Sequence, residues 1–335
     1  DMIPMKMPPM SADVVKHLLY SILTEQQRTD FERDLELDFA ITFGEDMRFR
    51  VNVFNTVSGP AAVLRSIPTK ILSLDDLQAP PLFKELVQTP KGLILVTGPT
   101  GSGKSTTLAA MVDYVNENFS KHILTIEDPV EFIHDSKKSL VNHREVGAST
   151  KSFAKALKSA LREDPDIILV GEMRDLETIQ LAMTAAETGH LVMGTLHTSS
   201  AAKTIDRIID VFPANEKEMV RAMLSVSLEA IITQTLLKRA DGNGRVAAHE
   251  ILVGTPAVRN LIRENKIPQL YSMIQTGSKS GMILMKDSIT RLLELGIINS
   301  AEARRHLLTS SDNSNKNEDE NRHNTQTVKS AASQF

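Results

Sequence analysis

Cysteine is absent from the 335 residues, and aromatic residues make up only 4% of them. Without cysteine the chain forms no disulfides, thiolate zinc sites or cysteine nucleophiles, a composition that suits a reducing cytosol. An excess of positive charge is missing as well, since 38 Lys and Arg face 42 Asp and Glu and the formal net charge is −4. Such a chain has no overall basic field to hold nucleic acid and few aromatic rings to stack on bases, although local basic patches remain open. We therefore expect no nucleic-acid partner.

Long apolar runs are missing too, because no stretch approaches the roughly 20 residues that a membrane-spanning helix needs. The start lacks a basic region followed by an apolar segment, so it does not resemble a secretory signal. These absences predict a soluble, cytoplasmic protein. The sequence begins with Asp1 and soon reaches Pro4, Pro8 and Pro9, which suggests a fragment whose natural start lies upstream. A processed terminus is the alternative.

The first part of the chain, residues 1–70, predicts a small α+β domain. A helical pattern from Val14 precedes two segments, 36–43 and 48–54, in which apolar and polar residues alternate as in strands. Prolines then interrupt the pattern at 68, 80 and 81. We place the linker to the next domain there.

Residues 71–308 predict a larger α/β domain. Its apolar runs are short and continuous, as in strands buried on both faces of a parallel sheet, and they cover 93–96, 123–126, 167–170 and 191–193. From about Met219 the chain is expected to be mostly helical, with a last helix at 288–295 that Gly296 would end. Residues 309–335 are mostly polar and charged, which predicts a disordered tail.

A glycine-rich loop with the spacing G-x₄-G-K-S follows the first of these strands, over Gly98–Ser105. Helix-compatible residues come directly after it, and this strand-loop-helix context makes the motif credible as a phosphate site. Backbone N–H groups would converge on the phosphates, Lys104 would reach the β- and γ-phosphates, and Ser105 would bind Mg²⁺. A glycine-rich turn ahead of a helix is the alternative. The motif predicts ATP and Mg²⁺ as ligands, contacted by Pro99, Thr100, Gly101, Ser102, Gly103, Lys104, Ser105 and Thr106.

Two groups of carboxylates end predicted strands, where ligands bind in open α/β sheets. The first is the run 127–131, with Glu127 and Glu131 at its ends, and the second is Glu172, just after the strand at 167–170. A phosphate loop needs such an acid to hold metal and to orient water. A solvated acidic surface is the alternative for either group alone, but the position of both at strand ends favours function.

Two histidines, His190 and His197, bracket a predicted strand over 191–196. Seven residues of extended chain separate them by roughly 23 Å at about 3.3 Å per residue. They therefore cannot share one metal ion if the strand is straight. A structural role is the ordinary alternative for each.

The segment 161–175, with the sequence LREDPDIILVGEMRD, resembles the signature of the type II secretion and type IV pilus ATPase family. The phosphate loop, the acidic run 126–131 and the histidine segment 189–197 follow in that family's order. The likeness extends from about Ser11 to about Leu295. It implies a homohexameric ring whose subunits pair a PAS-like N-terminal domain with a RecA-like P-loop ATPase domain.

Carried over by motif, the resemblance also implies roles for single side chains. Glu131 becomes the general base, and Glu172 supports Mg²⁺. Arg50 and Arg65 become the arginines that close on the γ-phosphate, where such a finger is worth orders of magnitude in rate. An outward-facing strand residue is the plain alternative for Arg50. The two histidines would serve as γ-phosphate sensor and inter-subunit contact.

The missing cysteines separate two branches of this family. Pilus assembly and secretion ATPases usually carry a four-cysteine zinc insertion and retraction ATPases lack it, so pilus retraction and twitching motility are favoured. Pilus assembly, type II secretion, accessory retraction, a nucleic-acid motor and a noncatalytic regulator remain alternatives. The implied partners are an inner-membrane platform protein and a paralogous retraction ATPase, met at the inner-membrane face near the cell poles. The family's opening strand-helix-strand portion has no match, which predicts a truncated PAS-like domain.

Overall fold

The computed structural model describes residue 3 and residues 5–44 and 47–307. Two helices and three strands form a small N-terminal domain, and the later elements form a larger α/β domain. The predicted disordered tail at 309–335 lies outside the described residues. In the described part of the chain, every helix is too short or too polar to cross a lipid bilayer.

The small domain packs two helices on one face of an antiparallel sheet of order β1-β2-β3. Its core includes Phe31, Val51 and Val53, all buried. Both predicted strands are confirmed, whereas β3 was not predicted because its residues do not alternate between buried and exposed. The five elements are α1 (Ala12–Ile22), α2 (Glu25–Asp34), β1 (Glu36–Phe43), β2 (Met47–Thr56) and β3 (Gly59–Ile67).

A seven-stranded sheet forms the centre of the larger domain, in the order β10-β9-β4-β8-β7-β5-β6. All neighbouring strands are parallel except β9 and β10. The four apolar runs are confirmed as buried strands of this sheet. Its strands are β4 (Gly92–Thr97), β5 (His122–Glu127), β6 (Leu140–Glu145), β7 (Ile167–Val170), β8 (Leu191–Leu196), β9 (Leu228–Lys238) and β10 (Arg245–Val253).

Helices cover both faces of the large sheet, so each strand contributes to two cores. On β4, Leu93 and Leu95 pack into one core, and Ile94 and Val96 pack into the other. This is why the strands read as continuous apolar runs. The helices are α3 (Leu82–Leu86), α4 (Lys104–Asn118), α5 (Phe153–Ala160), α6 (Leu176–Thr188), α7 (Ala201–Asp210), α8 (Lys217–Ser227), α9 (Pro256–Arg263), α10 (Leu270–Thr276) and α11 (Met285–Glu294).

Most elements after Met219 are helices, as predicted, but β9 was missed, and β9 and β10 interrupt the helices there. Strand β9 lies between β4 and β10, and its neighbours Ile231 and Ile232 are buried in opposite cores. A short apolar run has the same appearance in a buried strand and in a buried helix. The helix predicted at 288–295 is confirmed, and Gly296 follows its end with a φ of 67°, but it is not the last helix, because residues 300–307 are helical too.

Candidate nucleotide-binding and active site

The phosphate loop joins the end of β4 at Thr97 to the start of α4 at Lys104. Gly98 and Gly103 have φ angles of 139° and 87°, which side chains disfavour. The first amides of α4 point into the loop without helical partners, and the helix dipole adds positive potential there. The strand-loop-helix context predicted for the motif is confirmed.

Close contact between the loop and β9 explains why Gly98 has no side chain. A Cβ atom at Gly98 would lie 2.3 Å from the carbonyl oxygen of Gln234 and 2.6 Å from Oγ of Ser102. That Ser102 Oγ is buried and lacks a hydrogen-bond partner among the residues that the structure describes. Buried hydroxyls normally have a partner, so the loop holds an unused polar group where a ligand oxygen would bind.

Lys104 folds back over the loop that precedes it. Its Nζ donates to the carbonyl of Gly98 at 2.9 Å and to that of Pro99 at 3.2 Å, and it lies 3.5 Å from Nδ1 of His197. Burial lowers the pKa of this ammonium, while the charges of Glu172 and Glu131 act in the opposite direction. The loop lysine is therefore surrounded by both predicted acids and by one of the predicted histidines.

Glu172 lies beside the loop and is held from two sides. Its Oε1 is 3.3 Å from Nε2 of His197, and its Oε2 is 2.6 Å from Nη2 of Arg174. Burial alone would raise the pKa of Glu172, but Arg174 and His197 outweigh it and lower the pKa. The carboxylate is thus ionised at neutral pH, as a group that supports a divalent cation must be.

Glu131 lies in the segment after β5, and its backbone is held by neighbouring carboxylates. Its N–H donates to Oε2 of Glu127 at 3.4 Å, and the N–H of Val130 donates to Oε2 of Glu145 at 2.9 Å. Burial raises the pKa of Glu127 to about 7. Of the two acids that end the run 127–131, Glu127 is buried and Glu131 is half-exposed, so Glu131 is the one free to meet water.

The two predicted arginines are direct register partners, Arg50 on β2 and Arg65 on β3. Paired residues of an antiparallel sheet project from the same face, so both cations lie side by side. Nη2 of Arg50 is 3.9 Å from Oδ2 of Asp38, and its charge acts on Asp128 of the acidic run. Arg65 is exposed. The structure therefore presents the pair on an accessible face of the small domain.

The structure does not bring His190 to the phosphate loop. It precedes β8, where its carbonyl accepts the N–H of Gly92 at the start of β4, whereas His197 follows β8 beside the loop. The length of β8, roughly 20 Å at about 3.3 Å per residue, separates the two histidines. Nucleotide binding by His190 therefore remains a prediction that the contacts within one subunit do not support. Its role as an inter-subunit contact stays a prediction.

Gln234 of β9 is a site residue that the sequence did not reveal. It is fully buried, its Nε2 donates to the carbonyl of Ser102 at 2.6 Å, and its Oε1 accepts from the hydroxyl of Thr107 at 2.9 Å. The side chain thus ties the loop to the helix that follows it. No local motif marks Gln234, because its partners lie more than a hundred residues earlier.

The residues present fit a nucleotide and Mg²⁺. The loop amides at the start of α4, the unpaired Ser102 hydroxyl and the Lys104 ammonium suit phosphate oxygens, and the oxygens of Ser105 and Glu172 are of the kind that a hard cation takes. Within the described ranges, no three His, Asp or Glu side chains cluster to hold a metal by themselves. Mg²⁺ would accordingly bind through few protein ligands together with phosphate and water, as it usually does.

A largely parallel sheet whose interior strand β4 leads into this loop defines a P-loop nucleotide-binding protein of the α/β class. The chain belongs to the type II/IV secretion system protein family, whose family model matches residues 11–335. The resemblance drawn from the sequence and the α/β fold class are both confirmed.

Individual relatives are similar over most of the chain. The twitching motility protein of Neisseria gonorrhoeae is 61% identical over 305 residues, 91% of this chain and 82% of the relative. The type IV pilus retraction ATPase PilT of Pseudomonas aeruginosa is 60% identical over 298 residues, 89% of this chain and 86% of the relative. The crystal structure of the pilus retraction motor PilT with bound ADP has a TM-score of 0.79 at 51% identity, covering 86% of this chain and 82% of that one.

Proposed function

We propose that this protein hydrolyses ATP to power retraction of type IV pili, and hence twitching motility. The observation that carries the proposal is the continuous contact from Lys104 through His197 to Glu172 at the phosphate loop. Support for the pilus role comes from relatives of 61% and 60% identity that are named for twitching motility and pilus retraction.

In the proposed reaction the loop residues from Thr100 to Thr106 bind the phosphates of ATP through their amides, and Pro99, which has no N–H, lines the loop beside them. Lys104 exchanges its carbonyl partners for β- and γ-phosphate oxygens and neutralises charge there. Ser105 and Glu172 would hold Mg²⁺, which when bound would supply positive charge to the phosphates. Glu131 orients the attacking water or takes its proton, a role that suits a half-exposed carboxylate beside the loop.

The proposal includes a homohexameric ring, because Arg50 and Arg65 lie on the small domain and not on the loop's own elements. An arginine finger given to a neighbouring subunit stabilises charge that develops on the γ-phosphate. The exposed pairing of these two arginines supports this role. His190, at the far end of β8 from the loop, is left for contact between subunits.

The site of action in the proposal is the cytoplasmic face of the inner membrane, near the cell poles. There the ring would work on an inner-membrane platform protein, with a paralogous retraction ATPase as a further partner. The absence of cysteine, and so of a four-cysteine zinc insertion, favours retraction over pilus assembly or secretion. An accessory retraction motor remains the second candidate.

The deciding experiment deletes the gene in its host and scores surface pili and twitching. Excess pili without movement support retraction, and bald cells point instead to assembly. Complementation with the wild-type gene should restore twitching, and complementation with Lys104→Ala should not, because that variant loses the phosphate-binding ammonium. Normal twitching in the deletion strain would favour the accessory role. Purified protein without ATP turnover would refute the enzymatic part.

A further inference from the structure

Arg48 lies where the small domain meets the large sheet. It is near the start of β2, its side chain is only 12% exposed, and its Nη2 lies 3.8 Å from Oε2 of Glu145, the last residue of β6. The other terminal nitrogen, Nη1, is buried without a hydrogen-bond partner among the described residues. A guanidinium does not lose its proton in proteins, so its need for partners persists at every pH.

Two carboxylates near Arg48 hold the segment that carries Glu131. Glu145 accepts the N–H of Val130, and Glu127 accepts the N–H of Glu131. Glu127 and Glu145 are register partners on β5 and β6, and the charge of Arg48 acts on Glu127. The guanidinium thus lies close to Glu145, and its charge reaches Glu127, so it acts on both side chains that accept consecutive amides at the candidate base.

We propose that Arg48 is a positioning residue for ATP hydrolysis. Its guanidinium holds Glu145 and Glu127 in place, and these two carboxylates hold the backbone that sets where the Glu131 carboxylate stands. The planar guanidinium suits this task because its five N–H donors can serve two carboxylates at once, which a lysine ammonium does less well. The proposal rests on the ATPase function proposed above. If Arg48 has this role, the position of the small domain against the large sheet affects the rate of ATP hydrolysis.

A merely structural ion pair between the domains would behave differently in kinetics. Loss of such a pair lowers the free energy of unfolding or the fraction of enzyme that is folded. The molecules that stay folded then turn over ATP at the normal rate. Loss of positioning lowers kcat in folded enzyme while ATP binds as before, because the loop and Lys104 make no contact with Arg48 in the described hydrogen bonds. The distinction can be measured.

The first test is steady-state ATP hydrolysis by the full chain with Arg48→Ala, Arg48→Lys and the control Arg33→Ala. Arg33 is exposed on α2 and pairs only with Asp30 and Asp34 among the described ion pairs, so its loss should change little. A misplacement of about 1 Å costs about 100-fold in rate, so Arg48→Ala should lower kcat by about 10- to 100-fold with KM unchanged. Arg48→Lys should recover part of this loss.

Wild-type kcat in Arg48→Ala would overturn the inference, and so would a raised KM at unchanged kcat. If Arg48→Ala fails to fold, Glu145→Gln probes the same contact from the other side. That variant keeps an oxygen for the Val130 N–H and loses the negative charge that faces Arg48. It should lower kcat to a similar degree, and the double variant should be no worse than the poorer single one. Losses that multiply in the double variant would refute the coupling.

Hydrogen exchange separates failure of this inference from failure of the proposed function. If wild-type protein hydrolyses no ATP, the ATPase proposal fails, yet exchange without nucleotide still reports on positioning. The amides of Val130 and Glu131 should exchange about ten-fold faster in Arg48→Ala and at the wild-type rate in Arg33→Ala, with the β8 amide of Thr195 as internal reference. Unchanged exchange at both amides would overturn the inference whatever the ATPase result.

Discussion

Oε1 of Glu172 lies 3.3 Å from Nε2 of His197. The other ring nitrogen of His197 lies 3.5 Å from Nζ of Lys104. A neutral imidazole protonated at Nε2 satisfies both neighbours, because it donates to the carboxylate and accepts from the ammonium. His197 therefore joins the acid after β7 to the lysine of the phosphate loop.

Removal of this ring should impair turnover. We expect His197→Ala to lower kcat by about 10- to 100-fold, because Lys104 and Glu172 lose the group that fixes their relative positions. ATPase rates at saturating ATP measure the effect. His17→Ala, on the exposed face of α1, serves as the control and should hydrolyse ATP at the wild-type rate. Equal rates for both variants would exclude a role for the ring.

Substitution of Glu131 should lower only ATP turnover, whereas substitution of Lys104 should lower both ATP affinity and turnover. Glu131→Gln should leave ATP affinity near normal and lower kcat by about 100-fold or more, which is the typical contribution of a general base. Lys104→Ala should weaken both binding and turnover, because the ammonium meets the phosphates in the ground state and in the transition state. Fluorescent-nucleotide binding and ATPase assays on the same preparations distinguish the two. Full turnover by Glu131→Gln would refute the base assignment.

Gln234→Leu should loosen the phosphate loop. The substitution leaves the Ser102 carbonyl and the Thr107 hydroxyl without their buried partner, which costs about 1–3 kcal/mol of unfolding free energy. We also expect a higher KM for ATP, since the loop loses its link to β9. Gln88→Ala is the control, because Gln88 is exposed and its side chain bonds only the carbonyl of Lys84 among the described hydrogen bonds. Unaltered stability and KM would show that Gln234 does not hold the loop.

Glu127 should make stability fall as the pH rises. Burial raises its pKa to about 7 from the ordinary 4.5, so the folded state binds the proton more tightly than the unfolded state. Its contribution is therefore most favourable below pH 4.5 and is lost progressively as the pH rises to about 7. Glu127→Gln, which stays neutral, should raise the unfolding free energy at pH 8 by at most about 3 kcal/mol and change little at pH 4.5.

Denaturant unfolding of the wild type and Glu127→Gln at both pH values measures this difference. Glu85→Gln on α3 is the matched control, since Glu85 is exposed and should show the same pH dependence as the wild type. A constant gap between Glu127→Gln and wild type across the pH range would mean that the substitution acts through packing and not through the proton.

Arg50→Ala subunits should be rescued in mixtures with subunits that carry Lys104→Ala. In a mixed ring, an intact Arg50 from a Lys104→Ala subunit can serve the intact loop of its neighbour. We expect the mixture to exceed the summed activity of the two pure variants. ATPase rates across a series of mixing ratios measure this effect. Pure Arg50→Ala at the same total protein concentration is the reference. Strictly additive activity at every ratio would contradict donation between subunits.

Local features of the sequence were predicted well because their physical causes are local. The loop needs glycines at fixed spacing and a following helix, so Gly98, Gly103 and Lys104 can be recognised from the local sequence. Glu172 follows a strand that is buried on both faces, and the carboxyl ends of parallel strands meet at one edge. These residues could be placed together before the structure was known.

Residues whose role depends on distant partners could not be found in this way. Gln234 lies on a strand that the sequence pattern left within a helical region, and its contacts join segments far apart in the chain. Arg48 lies on the small domain and contacts Glu145 on β6 of the large sheet. A strand pattern around Arg48 does not reveal which strand of the other domain it contacts. The role of His190 could not be decided in this way either, because a histidine next to a strand does not indicate at which end of the sheet the ligand binds.

The approach of Gly98 to Gln234 leaves no room even for a methyl group between the loop and β9. Backbone contact this close means that the loop cannot shift without β9, which is itself held between two neighbours in the sheet. The loop therefore moves only together with β9. In the proposed catalytic cycle we expect motion in the parts that reach the loop from outside, namely the small-domain arginines and the segment that carries Glu131.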